Sequence, residues 1–249
     1  MELGDRMKFY ENGSRFIPTL PIIARIDGRN FHKYTKDAAK PFDGQLQHLF
    51  KETAKTLVQQ TAAILGYTQS DEISLVFLGD WNSRVYFDGK IQKMVSCLAS
   101  EATLYFNNIA EKPAMFDCRC FQVPSLTEAS NYFVWREQDA VRNSVQMAAR
   151  SIFSNKECNK KNNSQLQDML MDKGINWNNY DSHSKRGTYF KRVRRLFDFP
   201  AEHLDKVNPD KLVDGKVMRS VVEEVNFPIL TTIVNREELL FGNSANNHL

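Results

Sequence analysis

Two short stretches of the sequence place carboxylates beside apolar runs, an arrangement suited to metal-assisted chemistry at phosphorus. Asp27 directly follows the apolar run within residues 22–26, and Asp71 and Glu72 lie between two further apolar segments. Carboxylates that converge repel each other unless a cation lies between them, and carboxylate and carbonyl oxygens are the ligands that Mg²⁺ prefers. If the fold brings Asp27 and Asp71 together, the pair predicts a magnesium site that supports in-line phosphoryl displacement.

The residues around this pair fit a triphosphate. Gly28 permits close approach of the backbone, and the successive backbone N–H groups after it can form an anion-binding nest. Arg29 and His32 add positive charge, Lys40 can reach the outer phosphates, and Ser70 can donate a hydroxyl hydrogen bond. Each basic residue taken alone is more typical of a solvated surface, so the triphosphate interpretation depends on the carboxylate pair.

The hydrophobic pattern predicts the elements that position these residues, because alternation indicates strands and a 3.6-residue period indicates helices. In chain order they are a strand ending at Asp27, a helix over 43–65 that ends near Gly66, a hairpin over 66–79, a helix over 91–110 and a strand over 115–124. This β-α-β-β-α-β order is typical of an α+β, ferredoxin-like fold with both helices on one face of an antiparallel sheet.

The remaining segments are less regular. Residues 1–15 and 126–155 are expected to be helical, and residues 216–234 to contain a strand or two. Residues 154–189 are polar and rich in Asn and Lys, which favours a loop or a domain boundary. Residues 242–249 are expected to fray.

The most basic stretch of the chain is a candidate surface for nucleic acid. Phosphate contacts supply most of the affinity for nucleic acids, and aromatic rings stack on unpaired bases. The alternative is the solvated face of an amphipathic strand or helix. The cations are Lys185, Arg186, Lys191, Arg192, Arg194 and Arg195, interleaved with Tyr189 and Phe190.

Composition is ordinary for a soluble globular protein. The 249 residues are 42% hydrophobic and 25% charged, with a net charge of +3 and an isoelectric point of about 8.6, which permits a nucleic-acid partner without demanding one. The four cysteines form no CxxC pair, so reduced thiols are expected rather than a zinc site. No stretch reaches the roughly 18 apolar residues of a membrane span, and no signal-peptide pattern is visible, so a cytoplasmic location without a membrane partner is expected.

Several segments, in this order and spacing, resemble the tRNA-His guanylyltransferase superfamily, whose members extend RNA in the 3′-to-5′ direction. They are IARIDGRNFHKY, AKPFD, YTQSDEISLVF, FDCRCFQVP and YFVWREQDAVRNS. The resemblance implies a polymerase-like palm over residues 1–150 and an extension over residues 151–249 that packs on the palm and contributes to RNA or triphosphate binding. It also implies two Mg²⁺ ions, ATP and GTP as substrates, tRNA as partner and a homotetramer.

The resemblance implies roles for single residues as well. Asp27 and Asp71 match carboxylate metal ligands, Gly28 matches a carbonyl ligand, and Glu72 matches an essential neighbouring acid. The residues expected to hold the nucleotide are Asp27, Gly28, Arg29, Asn30, Phe31, His32, Lys40, Ser70 and Asp71. Candidates for a second nucleotide or for RNA, from the motifs and the basic run together, are Arg25, Asn143, Lys185, Arg186, Lys191, Arg192 and Arg194.

One motif departs from the pattern of the eukaryotic enzymes. They carry His-Ile-Asn-Asn-Leu-Tyr-Asn-Thr after the WR…D segment, whereas residues 141–146 here read VRNSVQ, in which Asn143 alone matches. The chain therefore resembles the guanylyltransferase-like branch, which adds templated nucleotides to 5′-truncated tRNA. The expected function is Mg²⁺-dependent 3′-to-5′ nucleotidyl addition to the 5′ end of tRNA, after nucleotide activation of that end, with G(−1) addition to tRNA-His as the alternative.

Two hypotheses of other classes stay open at this point. A palm-type nucleotide cyclase shares the two-metal chemistry, but its hairpin usually carries a Gly-Gly-Asp/Glu-Glu-Phe-like sequence in place of Ser70-Asp71-Glu72. A non-catalytic RNA-binding protein that keeps the palm scaffold has no need to retain all three acids. A cyclic product formed without RNA would favour the first, and tight Mg²⁺-independent tRNA binding without turnover would favour the second.

Overall fold

The chain folds around one antiparallel β-sheet with helices on both faces. The computed structural model describes residues 2–8, 10–11, 13–81, 85–199 and 207–245. The strands within them are β1 (Ile22–Gly28), β2 (Leu65–Gln69), β3 (Glu72–Phe77), β4 (Phe116–Gln122), β5 (Thr188–Phe197), β6 (Leu212–Val213) and β7 (Lys216–Val225). The helices are α1 (Leu3–Lys8), α2 (Phe31–Tyr34), α3 (Gly44–Gln60), α4 (Ile91–Ile109), α5 (Leu126–Arg150), α6 (Asn155–Cys158), α7 (Asn163–Asp172), α8 (Ser182–Arg186) and α9 (Arg236–Ala245).

The first half of the chain has the ferredoxin-like topology. The strand order of the sheet is β4-β1-β3-β2-β5-β7-β6, and each neighbouring pair is antiparallel. Helix α3 connects β1 to β2 and helix α4 connects β3 to β4, so β1 to β4 form the split β-α-β arrangement. The predicted α+β, ferredoxin-like fold is confirmed.

Alternation along the strands sends apolar side chains to both faces of this sheet. Helices α3 and α4 cover one face, where the aromatic rings of Phe31, Phe50, Phe106 and Phe116 pack together. Helices α5 and α9 cover part of the other face, where apolar side chains from β1, β2, β3 and β5 are buried. The end of the sheet at Asp27 lies outside that second cluster, which leaves room for polar side chains.

The segment after α5 continues the sheet. Strand β5 pairs with β2 from Thr188 to Lys191, and its outer part continues as a long ribbon with β7. The basic run therefore lies mainly on a strand. The division into residues 1–150 and 151–249 stays a prediction, since the sheet itself crosses that boundary.

The loop predicted over residues 154–189 is wrong. Helices α6, α7 and α8 lie in this segment and pack on the C-terminal half of α5, with Leu166 and Leu170 buried between them. Two capping boxes, Ser154 with Glu157 and Asn162 with Gln165, begin α6 and α7. These short-range hydrogen bonds satisfy the free N–H groups of each helix start, which lets polar sequence form helix.

Three smaller expectations also differ from the structure. Helix α3 ends at Gln60 instead of near residue 65, because Thr61 already has an extended backbone, with φ −103° and ψ 179°, and Gly66 lies in β2. Helix α1 covers only Leu3–Lys8 of the N-terminal segment that was expected to be helical. Helix α9 extends to Ala245, so residues 242–245 of the tail expected to fray are helical, and residues 246–249 lie outside the described residues. None of the helices in the described part of the chain has the length and apolarity needed to cross a bilayer.

Candidate active site

Three carboxylates from neighbouring strands converge at one end of the sheet. The antiparallel register places Asp27 of β1 directly opposite Glu72 of β3 and directly opposite Asp117 of β4. Residues directly opposite each other project to the same face. Asp71 is in the two-residue turn before β3, and its carbonyl accepts a hydrogen bond of 3.0 Å from the Gly28 N–H, which ties the turn to the end of β1.

The electrostatic state of Asp27 reflects this convergence. Burial raises the pKa of Asp27 most, and the negative charges of Asp71 and Asp117 raise it further, while Arg119 and Arg25 act in the opposite direction. The fold thus places carboxylates close enough to repel each other, and a cation between them would relieve the repulsion. Sequence reasoning missed Asp117, although the alternation in FDCRC places it on the same face as Arg119.

Gly28 is needed for steric reasons at the end of β1. A Cβ atom there would lie 2.2 Å from Cδ2 of Phe31, far inside contact distance. The Phe31 ring is buried among the rings of the helix-covered face, so its side chain does not reach the carboxylates. Asn30 has a left-handed φ of 56°, and the exposed Arg29 and His32 stand on either side of the turn into α2.

Glu72 differs from the other acids because the fold gives it a cationic partner. Its Oε1 lies 2.8 Å from Nε of Arg136, its Oε2 lies 4.0 Å from Nε of Arg25, and the Ser74 hydroxyl donates to it at 3.4 Å. Burial still raises the pKa of Glu72 above its usual value, because desolvation outweighs the lowering effect of the two arginines. We conclude that Glu72 anchors Arg136 and is not an open metal ligand.

Arg136 begins a chain of polar contacts along α5. Its Nη2 lies 3.1 Å from Oδ2 of Asp139, and the same oxygen accepts a hydrogen bond of 3.2 Å from the Asn143 side chain. The guanidinium also lies over the Trp135 ring, 4.4 Å from its centroid. Asn143, the one residue of the departed motif that matches, is therefore connected to Glu72 through Asp139 and Arg136.

A cavity of about 280 Å³ opens beside the β2–β3 turn. Lys40 and Ser70 line it, together with Arg150 of α5 and His183 of α8. Burial and the nearby Lys51 lower the pKa of His183 to about 4, so its imidazole is neutral at physiological pH. Lys40 and Arg150 are the cations of this cavity. Asp43 also lines it, but its carboxylate accepts hydrogen bonds from the Ala39 and Leu46 N–H groups at 2.8 and 2.9 Å, so the two cations still suit an anionic ligand.

The other predicted nucleotide contacts are distributed around this end of the sheet. Ser70 has a φ of 56° and donates to Oδ1 of Asp71 at 3.0 Å. Arg29, Asn30 and Phe31 line a different cavity, of about 530 Å³, beside α4. The structure therefore places Lys40 and Ser70 at one cavity, and the residues of the turn between β1 and α2 at another.

Most cations of the basic run have partners inside the fold. Lys191 is buried and donates to the Leu239 carbonyl at 2.7 Å. The Arg192 guanidinium donates to carbonyls at the end of α3, including Thr61 at 2.8 Å and Ala63 at 3.0 Å. Neither side chain is brought to the carboxylates, and both stabilise the packing of β5 on its neighbours.

The rest of that run lies on α8 and on the outer part of β5. Lys185 donates to the Asn178 carbonyl at 2.6 Å, and Arg186 donates to the Ser182 hydroxyl at 3.0 Å. Arg194 is exposed on the ribbon. Of these two elements, α8 lies next to the 280 Å³ cavity, which its residues His183 and Ser184 line.

The donor set of the acidic end is limited to hard oxygens. Asp27, Asp71 and the Gly28 carbonyl are ligands of the type that Mg²⁺ takes when phosphates complete its shell. Among the described residues, no group of three or more His, Cys, Asp or Glu side chains has a metal-holding arrangement. The residues present therefore fit a cation that is bound by two carboxylates and shared with a phosphate ligand, rather than an all-protein metal cage.

Comparison with known proteins agrees with this geometry. The family model described as tRNAHis guanylyltransferase matches residues 4–124. A solved bacterial tRNA(His) guanylyltransferase (Thg1)-like protein in complex with ATP is 41% identical, with 76% of this chain and 88% of that chain covered and a TM-score of 0.72. The chain belongs to the tRNAHis guanylyltransferase family.

Two further relatives extend the match. A bacterial Thg1-like protein in complex with GTP is 35% identical over 92% of this chain and 94% of that one, with a TM-score of 0.73. The tRNA(His) guanylyltransferase of Saccharomyces cerevisiae is 28% identical over 74% of this chain and 87% of its own length. The protein is therefore a nucleotidyltransferase of this family, and the sequence-based family assignment is confirmed.

Proposed function

We propose that the protein adds nucleotides in the 3′-to-5′ direction to the 5′ end of tRNA, in a reaction that requires Mg²⁺. The observation that carries the proposal is the convergence of Asp27 with Asp71 beside a positively charged cavity, in a chain of this family. The solved relatives contain ATP and GTP, which supports nucleoside triphosphates as substrates here.

Each part of the site has a role in this reaction. Mg²⁺ held by Asp27, Asp71 and the Gly28 carbonyl would activate the attacking 3′-hydroxyl and neutralise the departing phosphates. Lys40 and Ser70 hold the triphosphate in the cavity that they line, and Arg29 and His32 supply charge from the turn after β1. In the first step the 5′-monophosphate of the tRNA would attack the α-phosphorus of the bound ATP or GTP and release pyrophosphate. In the second step the 3′-hydroxyl of the next nucleoside triphosphate would attack the activated 5′-phosphorus and release the nucleoside monophosphate.

Glu72 acts as a positioning residue. It is tied to Arg136 at 2.8 Å, so it fixes the arginine above the acidic end of the sheet and sets the electrostatic potential at Asp27. Arg25, at 4.0 Å from Glu72, and Asn143, at the far end of the Asp139 contact, are proposed to face the second nucleotide or the RNA end.

The templated, repair-type reaction is the first choice over G(−1) addition. Two bacterial Thg1-like structures are 41% and 35% identical to this chain, and residues 141–146 lack the histidine motif of the eukaryotic enzymes. G(−1) addition to tRNA-His stays the second candidate, because curated relatives such as the yeast protein carry that name. A homotetramer, a cytoplasmic location and the division into palm and extension stay predictions.

The test is an assay of 5′-end extension with purified protein, Mg²⁺ and all four nucleoside triphosphates. A 5′-truncated tRNA and intact tRNA-His, each labelled, are compared side by side. We expect templated extension of the truncated tRNA to be faster than G addition to tRNA-His. Faster addition to tRNA-His would establish the second candidate instead.

Variants connect the activity to the site. Asp27→Asn and Asp71→Asn should each reduce transfer by roughly a thousandfold or more, as expected for loss of a metal ligand at a two-metal site, while tRNA binding stays within about twofold of wild type in the same buffer. Asp168→Asn, an exposed acid on α7, is the matched control and should leave transfer unchanged. Substantial transfer by both active-site variants would contradict the proposal.

A further inference from the structure

A second, smaller cavity lies where the end of α5 meets the turn between α6 and α7. Its volume is about 150 Å³, and its polar lining consists of Gln146, Arg150, Asn159, Lys160 and Lys161. Buried Cys158 and Leu166 close it on the protein side. All of its charged lining residues are cations, so the cavity is suited to an anion.

These cations have no internal counter-charge. Within the described residues, no carboxylate lies within ion-pairing distance of Arg150, Lys160 or Lys161. Three like charges around one small cavity repel each other. This differs from the basic run on β5, where Lys191 and Arg192 donate to carbonyl groups of the fold. An external anion is the partner that this arrangement lacks.

The backbone at the rim is held in an unusual conformation. Lys160 has a left-handed φ of 60°, which costs a residue with a side chain about 1 kcal/mol or more. The surrounding structure enforces it, because α6 and α7 each begin with a capping box and the intervening turn is anchored by buried Cys158. A strained lysine directed to a cation-lined cavity favours a ligand-binding role over a purely structural one.

The position of this cavity relates it to the active site. Arg150 lines both this cavity and the larger one that contains Lys40 and Ser70. Arg150 therefore connects this cavity to the one that is proposed to hold the triphosphate.

We propose that the cavity of Arg150, Lys160 and Lys161 binds a backbone phosphate of the RNA substrate. This deepens the proposed function and rests on it. Phosphates are the ligands that lysine and arginine side chains hold in nucleic-acid complexes, without reading the base sequence. The site would therefore fix the register of the RNA end at Asp27 for any RNA sequence.

The test measures RNA binding rather than transfer, so its result does not depend on whether the transfer reaction is assigned correctly. The variants are Lys160→Gly and Lys161→Gln, with Lys156→Gln as the control, because Lys156 is an exposed lysine on α6 that does not line the cavity. Dissociation constants for a labelled tRNA are determined at several salt concentrations. We expect each cavity variant to weaken binding roughly tenfold and to lower the slope of log K against log salt by about 1, and the control to change neither.

Two further readouts separate this site from its alternatives. Lys160→Gly removes the strain at a positive φ, so it should be at least as stable to urea as wild type while binding RNA more weakly. The same two variants should leave the KM for nucleoside triphosphate unchanged.

Three outcomes would overturn the proposal. An equal loss of tRNA affinity in Lys156→Gln would mean that the charge of the whole segment acts without a specific cavity. A raised KM for nucleoside triphosphate with unchanged tRNA affinity would assign the anion to the triphosphate. Unchanged tRNA affinity in both cavity variants would mean that the cavity binds no RNA phosphate. If those proteins still extended tRNA, the proposed function would remain valid without this binding site.

Discussion

Charged side chains are concentrated in two regions of this molecule, and the fold treats them differently. At the acidic end of the sheet, Asp27 of β1 lies opposite Asp117 of β4 and near Asp71, and its pKa is raised by burial and then by the negative charges of these two residues. On β5, the buried Lys191 donates to a carbonyl group of α9, and the half-buried Arg192 donates to carbonyl groups in the last turn of α3 and just after it. In the first region, negative charges remain close to one another. In the second region, the positive charges are hydrogen-bonded to backbone carbonyl groups of the packed elements.

The difference has an energetic meaning. Hydrogen bonds between a charged donor and carbonyl groups stabilise the folded chain, whereas converged carboxylates destabilise it until a cation binds. Excess charge that the fold tolerates is therefore a better indicator of a ligand site than the density of charge in the sequence. Glu72 lies between these cases, since it belongs to the acidic end but is paired with Arg136.

Arg136→Met should give the largest change in stability, because it removes the nearest cation from Glu72, a largely buried side chain, and leaves only Arg25 at 4.0 Å and the Ser74 hydroxyl at 3.4 Å. The side chains of Arg136 and Glu72 are 11% and 16% exposed, and removal of one partner of a buried pair costs about 3 kcal/mol. The loss should be largest at neutral pH and shrink as the pH falls towards 4.5, the usual pKa of a glutamate, because burial already raises the pKa of Glu72 in the folded state. Urea denaturation at pH 7 and pH 5 measures it.

The double variant Glu72→Gln/Arg136→Met supplies the control for that pair. It also removes the negative charge of Glu72, so its stability should exceed that of Arg136→Met alone at pH 7. Nucleotidyl transfer should remain low in both, since Arg136 no longer stands over the acidic end. If Arg136→Met lost no stability at pH 7, Glu72 would be as open as Asp27, and the contrast between them would disappear.

Arg192→Met tests the opposite region with a moderate expected effect. Its guanidinium donates to Thr61 and Ala63, and also to Val58, at the end of α3. Losing these bonds should lower the free energy of unfolding by about 2 kcal/mol, with tRNA affinity within about twofold of wild type in the same buffer. Chemical denaturation and tRNA titration of the same preparation report both quantities.

Arg195→Gln is the matched control on the same strand. Arg195 makes a two-pronged contact with Glu223, at 2.7 Å for each prong, but both side chains lie on the exposed ribbon, where ion pairs contribute little. We expect no measurable loss of stability. A tenfold loss of tRNA affinity in Arg192→Met without a loss of stability would make Arg192 an RNA contact and reverse our assignment of this region.

Sequence reasoning succeeded where local patterns determine structure. Alternation and helical period were enough to predict β1 to β4 with α3 and α4, and the position of Asp27 and Asp71 at strand ends made their proximity predictable from the topology. It failed over residues 154–189, because composition suggested a loop while the capping boxes at Ser154 and Asn162 began helices.

Partners that depend on long-range contacts could not be predicted in the same way. Asp117 becomes part of the acidic end only through the register of β4 on β1, and Lys191 becomes buried only because α9 packs on β5. Arg150 is separated from Lys160 by the whole of α6, so their common cavity follows from the fold of the helical segment. In each case the role of the residue depends on a contact with a neighbour that is distant in the sequence, and local sequence patterns do not reveal that contact.

Apart from the control variants, Asp27→Asn should give the smallest change in stability, and it tests the repulsion without measuring catalysis. The pKa of Asp27 is raised in the folded protein above its usual value of 3.8, so the folded state holds this proton more tightly than the unfolded chain. Stability therefore falls as the pH rises from about 3.8 through the folded pKa.

In EDTA at pH 7, Asp27→Asn should raise the unfolding midpoint by about 1–2 °C, and the gain should vanish below pH 3.8. Mg²⁺ should then stabilise wild type more than the variant, because it binds only the folded acidic end, whereas Asp168→Asn should respond to Mg²⁺ as wild type does. A lower midpoint for Asp27→Asn in EDTA would mean that Asp27 is stabilised by Arg25 and Arg119 more than it is repelled, and that the acidic end is already neutralised by the fold.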